Sequence, residues 1–488
     1  MDNTNNKSYK WVWITVTVIF CLFFTIIPGL SAQSRIRASA YGTMMEEVFN
    51  SILRNYVDEV DPQVIFEGAV NGMFNALEDP YSAYLSESDL GDLRHTTEGI
   101  FGGVGLNITK ATTPRPDGKP MWVEVASPIE DTPGWRAGIN PGDFIVEIND
   151  QPTETMSMDD VLGILRGTPG EQVKLLIRRG ERLEFPVTIT RAVIEVPTVK
   201  HAMIGDIGYL KLISFTPMTA SRAIEAINEF RENNYKGLIL DLRYNYGGRL
   251  DSAIAIANLF LDGGPIVRTR SRIRNENREW TARRSTLVPA DIPVIVLINR
   301  ASASASEIVA GALKDRGRAY LVGENTFGKG SVQQVFPITN ETGFRMTIAR
   351  YYTPSDANID KIGIPPDREV KFPEYTEEDA EHLNELINAN KIPEFAAQNP
   401  QATSAQIEAF ARTLQRDYQL DLALLARLIR NELRRTEIAP TYDLEYDIQL
   451  QEAINILRGG NYEQLMRESL PLNVILEEAE AEDAFAAS

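Results

Sequence analysis

From residue 207 onward, short apolar runs of strand character alternate with segments of helical period. The runs lie at 209–213, 238–242 and 294–298, and the helical patterns at 220–230 and 250–261. Adjacent parallel strands need a long crossover, and a helix that packs its apolar face back on the sheet supplies one. The alternation therefore predicts βαβ units around a buried parallel sheet, an α/β core in a chain of 488 residues that is too long for a single core.

The flanking regions read differently, which makes the whole an α+β multidomain protein. Between 40 and 90, Met45, Val48, Phe49, Ile52 and Leu53 keep a helical spacing and Asp79-Pro80 breaks a second segment, predicting a helical arm. Between 99 and 190, β-rich runs at 121–125, 144–148 and 173–177 are separated by Pro-Gly and Asn-Asp turns, predicting a small β domain with one helix at 159–165. Beyond 373 the strand signals stop, and helical segments at 407–414, 422–433 and 450–457 lead to an acidic tail. Leu422, Leu425, Leu428, Ile429 and Leu433 line one helix face, which predicts packing within the chain or across a homo-oligomer. The expected limits are 1–32, 33–98, 99–191, 192–373 and 374–488.

A formal net charge of −19 opposes the binding of nucleic-acid phosphates, and no basic stripe is expected to interrupt that balance. The single cysteine, Cys21, excludes a disulfide framework or a thiolate metal site. Cys21 lies in an uncharged apolar stretch, 11–27, preceded by Lys7 and Lys10, which predicts an export signal or a membrane anchor. Leu30 fits a cleavage site poorly, so a retained anchor is favoured.

Chemistry concentrates in two segments. Asn299-Arg-Ala-Ser-Ala-Ser-Ala-Ser-Glu-Ile follows a strand and opens a helix, where unpaired N–H groups and the helix dipole favour a developing anion. A serine there suits acyl transfer, with the Ala305 N–H as an oxyanion donor. Ser304-Ala-Ser-Glu307 also satisfies the capping box that merely starts a helix, and on this segment alone that plainer reading is the stronger. His95, His201 and His382 lie outside the βαβ segment that holds the serines, which argues against a histidine triad. A desolvated lysine serves as base when its pKa falls from about 10.4 towards 7 or 8. Lys329, in Phe327-Gly-Lys-Gly-Ser-Val-Gln-Gln, is the candidate, and in an extended chain it shares a face with Ser331 and Gln333. Gly323-Glu-Asn-Thr-Phe-Gly-Lys329 also imitates a phosphate-binding loop, but Gly330 stands where Ser or Thr would hold magnesium and a β-rich run follows instead of a helix.

Ser-Ala-Ser-Ala-Ser-Glu followed by Thr-Phe-Gly-Lys-Gly-Ser-Val-Gln resembles the C-terminal processing, or tail-specific, protease family. The likeness extends in order through Asp79-Pro-Tyr-Ser-Ala-Tyr-Leu, Asp241-Leu-Arg-Tyr-Asn-Tyr-Gly-Gly, Gly363-Ile-Pro-Pro-Asp and Tyr446-Asp-Ile-Gln-Leu-Gln-Glu-Ala. It implies a ClpP/crotonase-like protease core with an inserted PDZ domain, a location in the cell envelope with the catalytic part outside the cytoplasm, and no cofactor. It puts the nucleophile on Ser304, the general base on Lys329, an assisting amide on Gln333 and oxyanion donors on Gly247 and Gly248, with Tyr246 where proline is common. Gly102-Gly-Val-Gly-Leu-Asn-Ile is similar to a loop that captures a peptide's terminal carboxylate, which assigns Gly103, Val104, Gly105 and Leu106 to substrate binding. Ala137-Gly-Ile-Asn-Pro-Gly-Asp143 resembles the PDZ turn, and Arg166 matches a basic position that couples PDZ domain to active site. The competing readings are a silent PDZ scaffold that binds protein C-termini and, less favoured, a nucleotide-binding protein.

Overall fold

A computed structural model describes residues 39–488 except 112–119, 181, 436, 438–439 and 487–488. The apolar stretch at 11–27 lies outside the described residues. Among those described, no helix is long and apolar enough to cross a membrane.

The chain divides into two compact units, the smaller containing residues up to 86 together with 335–346. In this unit a helix at 39–55 is followed by the helix Pro62–Asn75, opened by Pro62 after the Asp61 side chain caps the Gln63 N–H. The expected helical arm is interrupted by a short strand, Ala83–Leu85, which pairs antiparallel with residues 343–345. That pairing joins segments some 260 positions apart in sequence and has no local signature, which is why helical spacing alone missed it. Phe74 and Phe344 meet at 5.5 Å, and Phe336 stacks on Phe344 at 5.1 Å.

The larger unit holds the sheet predicted from the alternating pattern. Its strand order is Val199–Ile204, Ile207–Leu212, Gly237–Asp241, Val294–Ile298, Tyr320–Gly323, Arg368–Glu369. The first pair is antiparallel and the rest run parallel. Every residue of the three strands from Gly237 to Gly323 is buried, as expected when both faces are covered. On one face, Leu238, Leu240, Val294 and Val296 pack with the helices Thr219–Glu232, Leu250–Ala257 and Ala305–Asp315. On the other, Ile239, Ile295 and Leu297 pack with Leu450, Ala453 and Ile454 of the helix Ile448–Arg458. The helix expected over 250–261 ends at Ala257, and the chain then turns so that Leu259, Phe260 and Leu261 still enter the core.

The β domain is a sheet ordered Leu106–Lys110, Val123–Pro128, Phe144–Ile148, Gln172–Arg179, Leu183–Thr190, with the helix Met158–Leu165 against it. Ser157 and Asp160 form a reciprocal capping box at that helix, with bonds of 3.1 and 2.9 Å. Beyond 373, the helices Glu377–Asn388, Lys391–Gln398, Ser404–Tyr418 and Leu422–Leu433 bury Leu386, Leu414, Leu425 and Ile429 in a core of their own. On the helix Leu422–Leu433, Leu425 and Ile429 face this core, while Leu422, Leu428 and Leu433 are half-buried. The acidic C-terminal region is helical over Leu472–Ala486, anchored by the fully buried Leu472.

Candidate active site

Three loops leave the carboxyl ends of three adjacent parallel strands, the place where open α/β sheets bind ligands. The loop after Gly237–Asp241 carries Gly247 and Gly248, that after Val294–Ile298 carries Ser304, and that after Tyr320–Gly323 carries Lys329.

Ser304 is the N-cap of the helix Ala305–Asp315 and sits at φ 56°. A non-glycine residue there stores strain of about 1–3 kcal/mol, a cost that persists only where the surroundings enforce it. They do so on both sides. Ser302 donates its hydroxyl to the Leu242 carbonyl at 2.9 Å, and Ser306 donates to Asn245 O at 2.8 Å. The Ala303 N–H donates to the same Asn245 carbonyl at 3.0 Å. Ser302 and Ser306 are fully buried in these structural bonds, whereas Ser304 is half-buried.

Glu307 joins the serine to the lysine. Its carboxylate is fully buried and accepts four bonds: Thr326 Oγ1 at 2.6 Å and the Gly328 N–H at 2.7 Å on Oε1, the Ser304 N–H at 2.8 Å and the Lys329 N–H at 2.9 Å on Oε2. Since one oxygen receives both the Ser304 and Lys329 N–H groups, their main-chain nitrogens lie within about two hydrogen-bond lengths. Burial pushes the Glu307 carboxyl above the usual carboxylate range, and the four donors oppose that shift. The Gly328 and Lys329 N–H groups, which a phosphate-binding loop would offer to a nucleotide, are taken by this carboxylate. The chain after Lys329 enters the strand Ser331–Pro337, not a helix.

The lysine loop is clamped from outside by the Gly363-Ile-Pro-Pro-Asp segment. Ile364 N–H donates to Thr326 Oγ1 at 2.7 Å, Thr326 N–H to Ile364 O at 3.1 Å, and Lys361 N–H to Gly328 O at 2.8 Å. A Cβ on Gly330 would lie 2.4 Å from the Asp360 nitrogen, so only glycine fits beneath that turn. Lys329 is half-buried and precedes the strand. Gln333 donates its amide to Ser331 Oγ at 2.8 Å, so these two share a face as predicted.

Gly247 is pressed against the serine: a Cβ there would fall 2.9 Å from Ser304 Cβ and 2.7 Å from Ala303 O, at φ 104°. Its N–H donates to Asn245 Oδ1 at 2.9 Å. Among the described residues, the N–H groups of Gly248 and Ala305 have no protein acceptor. Asn245 organises this corner, reaching back with Nδ2 to Leu212 O at 2.9 Å, and sequence reasoning missed it. The loop's base is fixed by a buried ionic network: Asp241 accepts from Tyr209 Oη at 2.6 Å and from Arg243 Nη2 at 2.7 Å, while Arg243 also holds Asp447, 2.6 Å away at the start of the helix Ile448–Arg458. Although burial alone would raise it, the Arg243 guanidinium holds the Asp241 carboxyl down at about 2, and burial beside that carboxylate pushes the Tyr209 hydroxyl far above its usual value.

In the β domain the strand Leu106–Lys110 lies at the edge of its sheet, open for an added strand. The carbonyls of Val104 and Gly105 are occupied, by the Gly134 N–H at 2.7 Å and the Ile129 N–H at 2.9 Å. The Gly105 N–H has no protein acceptor among the described residues, and Gly105 sits at φ 78°. The Val104 side chain is buried in the domain core, so this residue presents its main chain to the loop; Leu106 is half-buried. Gly103 bridges Arg166 in the backbone. The Arg166 side chain pairs with Asp92 at 3.0 Å and covers the Phe101 ring at 5.5 Å.

A sheet with a strained serine and a lysine loop at its carboxyl edge, joined to a β domain with an open edge strand, fits a serine peptidase with a PDZ domain. Family models agree: residues 206–370 match peptidase family S41, 124–179 a PDZ domain, and 31–88 the N-terminal domain of the activating protease CtpB. The chain is 41% identical over 368 residues to the carboxy-terminal-processing protease of Bartonella bacilliformis, covering 72% of this chain and 82% of that one. It is 31% identical over 374 residues to the carboxy-terminal processing protease CtpA of Bacillus subtilis, covering 76% and 78%. A solved photosystem II D1 C-terminal processing protease is 30% identical, covering 66% of this chain and 85% of that one with a TM-score of 0.39. The chain belongs to the carboxy-terminal processing proteases of peptidase family S41.

Proposed function

We propose that this protease cleaves exported proteins with a Ser304/Lys329 dyad, after its PDZ domain has captured their C-terminal tails. Ser304 Oγ attacks the scissile carbonyl carbon as its proton passes to the neutral Lys329 amine. The oxyanion is met by the N–H groups of Gly248 and Ala305, with Gly247 joining once it releases Asn245. As the C–N bond breaks, the lysinium returns the proton to the leaving amine. Water, deprotonated by the same lysine, then hydrolyses the ester and frees Ser304. Gln333 orients the amine. The bound tail adds a strand beside Leu106–Lys110 with its carboxylate on the loop Gly103 to Leu106, and Arg166 transmits occupancy from that loop to the catalytic centre. The stretch at 11–27 tethers the enzyme to a membrane, with the catalytic part outside the cytoplasm, and the protease works as a homo-oligomer. The domain limits follow the sequence reading.

The observation that carries this reading is the shared Glu307 oxygen, which brings the main chains of Ser304 and Lys329 together. A scaffold that only binds tails has no use for a strained serine tied by a buried carboxylate to the lysine loop. Ser304→Ala and Lys329→Ala are each expected to abolish cleavage of a protein with an apolar C-terminus, read by mass spectrometry, with circular dichroism unchanged. Products still released by folded Lys329→Ala protein would remove the dyad, and tail binding without cleavage by the wild type would favour the scaffold.

A further inference from the structure

The acidic balance, expected to be unbroken by any basic stripe, is broken in one place. Positions 268–284 hold seven arginines against two glutamates, in a chain of formal net charge −19. This segment is an antiparallel hairpin, Pro265–Arg270 with Arg278–Thr281, whose second strand is the outermost of its sheet.

The arginines differ in what they face. Arg268 pairs with Glu279 at 2.5 Å, Arg270 with Asp356 at 2.7 Å, and Arg278 approaches Glu276 at 3.9 Å. Arg272, Arg274, Arg283 and Arg284 are exposed and form no ion pair among the described residues. Arginine on an edge strand is commonly a guard against sheet-to-sheet pairing, which accounts for Arg278. It does not account for Arg272 and Arg274, which lie in the connecting turn on either side of Ile273, an isoleucine left 44% exposed. The turn is ordered by its own bonds: Ser271 N–H to Asn277 Oδ1 at 2.6 Å, Ile273 N–H to Ser271 Oγ at 3.1 Å, and Thr269 Oγ1 to Glu276 O at 2.5 Å. An apolar side chain held out between two uncompensated guanidinium groups matches a surface that is anionic outside and apolar just beneath.

We propose that this hairpin tip is a membrane-contacting element: Arg272 and Arg274 bind the phosphates of an anionic lipid bilayer while Ile273 enters the headgroup boundary. A lipid surface fits better than an acidic protein because the tip pairs charge with an exposed apolar group, and because the apolar stretch at 11–27 already points to a membrane. The contact gives a tethered enzyme a second, reversible point of attachment.

The test uses full-length protein in vesicles, with Cys21→Ser and Ile273→Cys carrying an environment-sensitive dye. In vesicles containing phosphatidylglycerol the dye is expected to shift to the blue and be quenched by brominated acyl chains, with reversal by salt. In phosphatidylcholine alone it stays unshifted. Arg272→Ser with Arg274→Ser lowers the ratio of docked to free tip about 25-fold, taking about fivefold for each guanidinium. Equal emission in the two lipids overturns the proposal. So does a shift produced in phosphatidylcholine vesicles by inorganic phosphate or by polyglutamate, which would assign the tip to a free anion or an acidic polypeptide. Cleavage of a soluble peptide is unchanged by the arginine substitutions, so this test stands apart from that of the dyad.

Discussion

Glu307 is where a single substitution tests the architecture of the site most sharply. Its two oxygens divide four donors, and a glutamine there must turn its NH2 towards one pair. Placed at the Oε2 position, the amide would leave the Ser304 and Lys329 N–H groups facing a donor. At the Oε1 position it faces Gly328 N–H and the Thr326 hydroxyl, and a hydroxyl can rotate to accept. Glu307→Gln therefore adopts the second orientation, keeps the serine–lysine link and strands one backbone donor, a loss of about 1–3 kcal/mol. Glu307→Ala strands all four groups in a buried site and, at about 1–3 kcal/mol for each, costs several times as much. It also releases the lysine loop from the serine. A displacement of 1 Å in such a site costs about 100-fold in rate, so kcat should fall by at least that factor in Glu307→Ala and by about tenfold in Glu307→Gln. Denaturant unfolding followed by tryptophan fluorescence gives the stabilities. Peptide hydrolysis well below the melting temperature gives kcat and KM. Folded Glu307→Ala protein with wild-type kcat would refute the positioning argument, as would alanine and glutamine variants that match in both stability and rate.

Gly247→Ala places a methyl 2.9 Å from Ser304 Cβ and 2.7 Å from Ala303 O at a φ that L residues rarely adopt, so peptidase activity should drop about 100-fold, and wild-type hydrolysis would show that this contact is not held during catalysis. The Asp241 carboxyl has a folded pKa of about 2 against an ordinary 3.8, so its stabilisation is complete above pH 4 and is lost as pH falls from there towards 2. That contribution is about 2 kcal/mol. Asp241→Asn should be less stable at neutral pH, having broken the buried pair with Arg243, and should lose less further stability over the acid range; equal acid slopes by denaturant titration would show that the network does not titrate there.

Much of the core was legible because its signals are local. The alternation of apolar runs and helical spacing located the strands Gly237–Asp241 and Val294–Ile298, and the stretch around Ser304 marked a helix start at the carboxyl edge of a sheet. The capping-box pattern was also genuine, but its glutamate has a larger task than a cap. Glu307 meets Thr326, Gly328 and Lys329, residues from another loop, and no spacing rule contains that encounter. Asn245 escaped notice for the same reason, since its partners Leu212, Ala303 and Ser306 converge only in the folded chain.

Residue order and chemistry by themselves determined the βαβ core, the β domain, the candidate serine and lysine, and the family. Only tertiary structure decided that the serine is strained, that one buried carboxylate ties it to the lysine loop, and that Asp447 at the head of a late helix closes an ionic network begun at Asp241. It also decided that Leu425 and Ile429 of Leu422–Leu433 enter a core of the C-terminal helices and that Ile273 stands out between arginines. Periodicity records which face of an element is apolar. Which partner covers that face depends on contacts hundreds of residues apart, whose energies exist only once the chain has closed on itself.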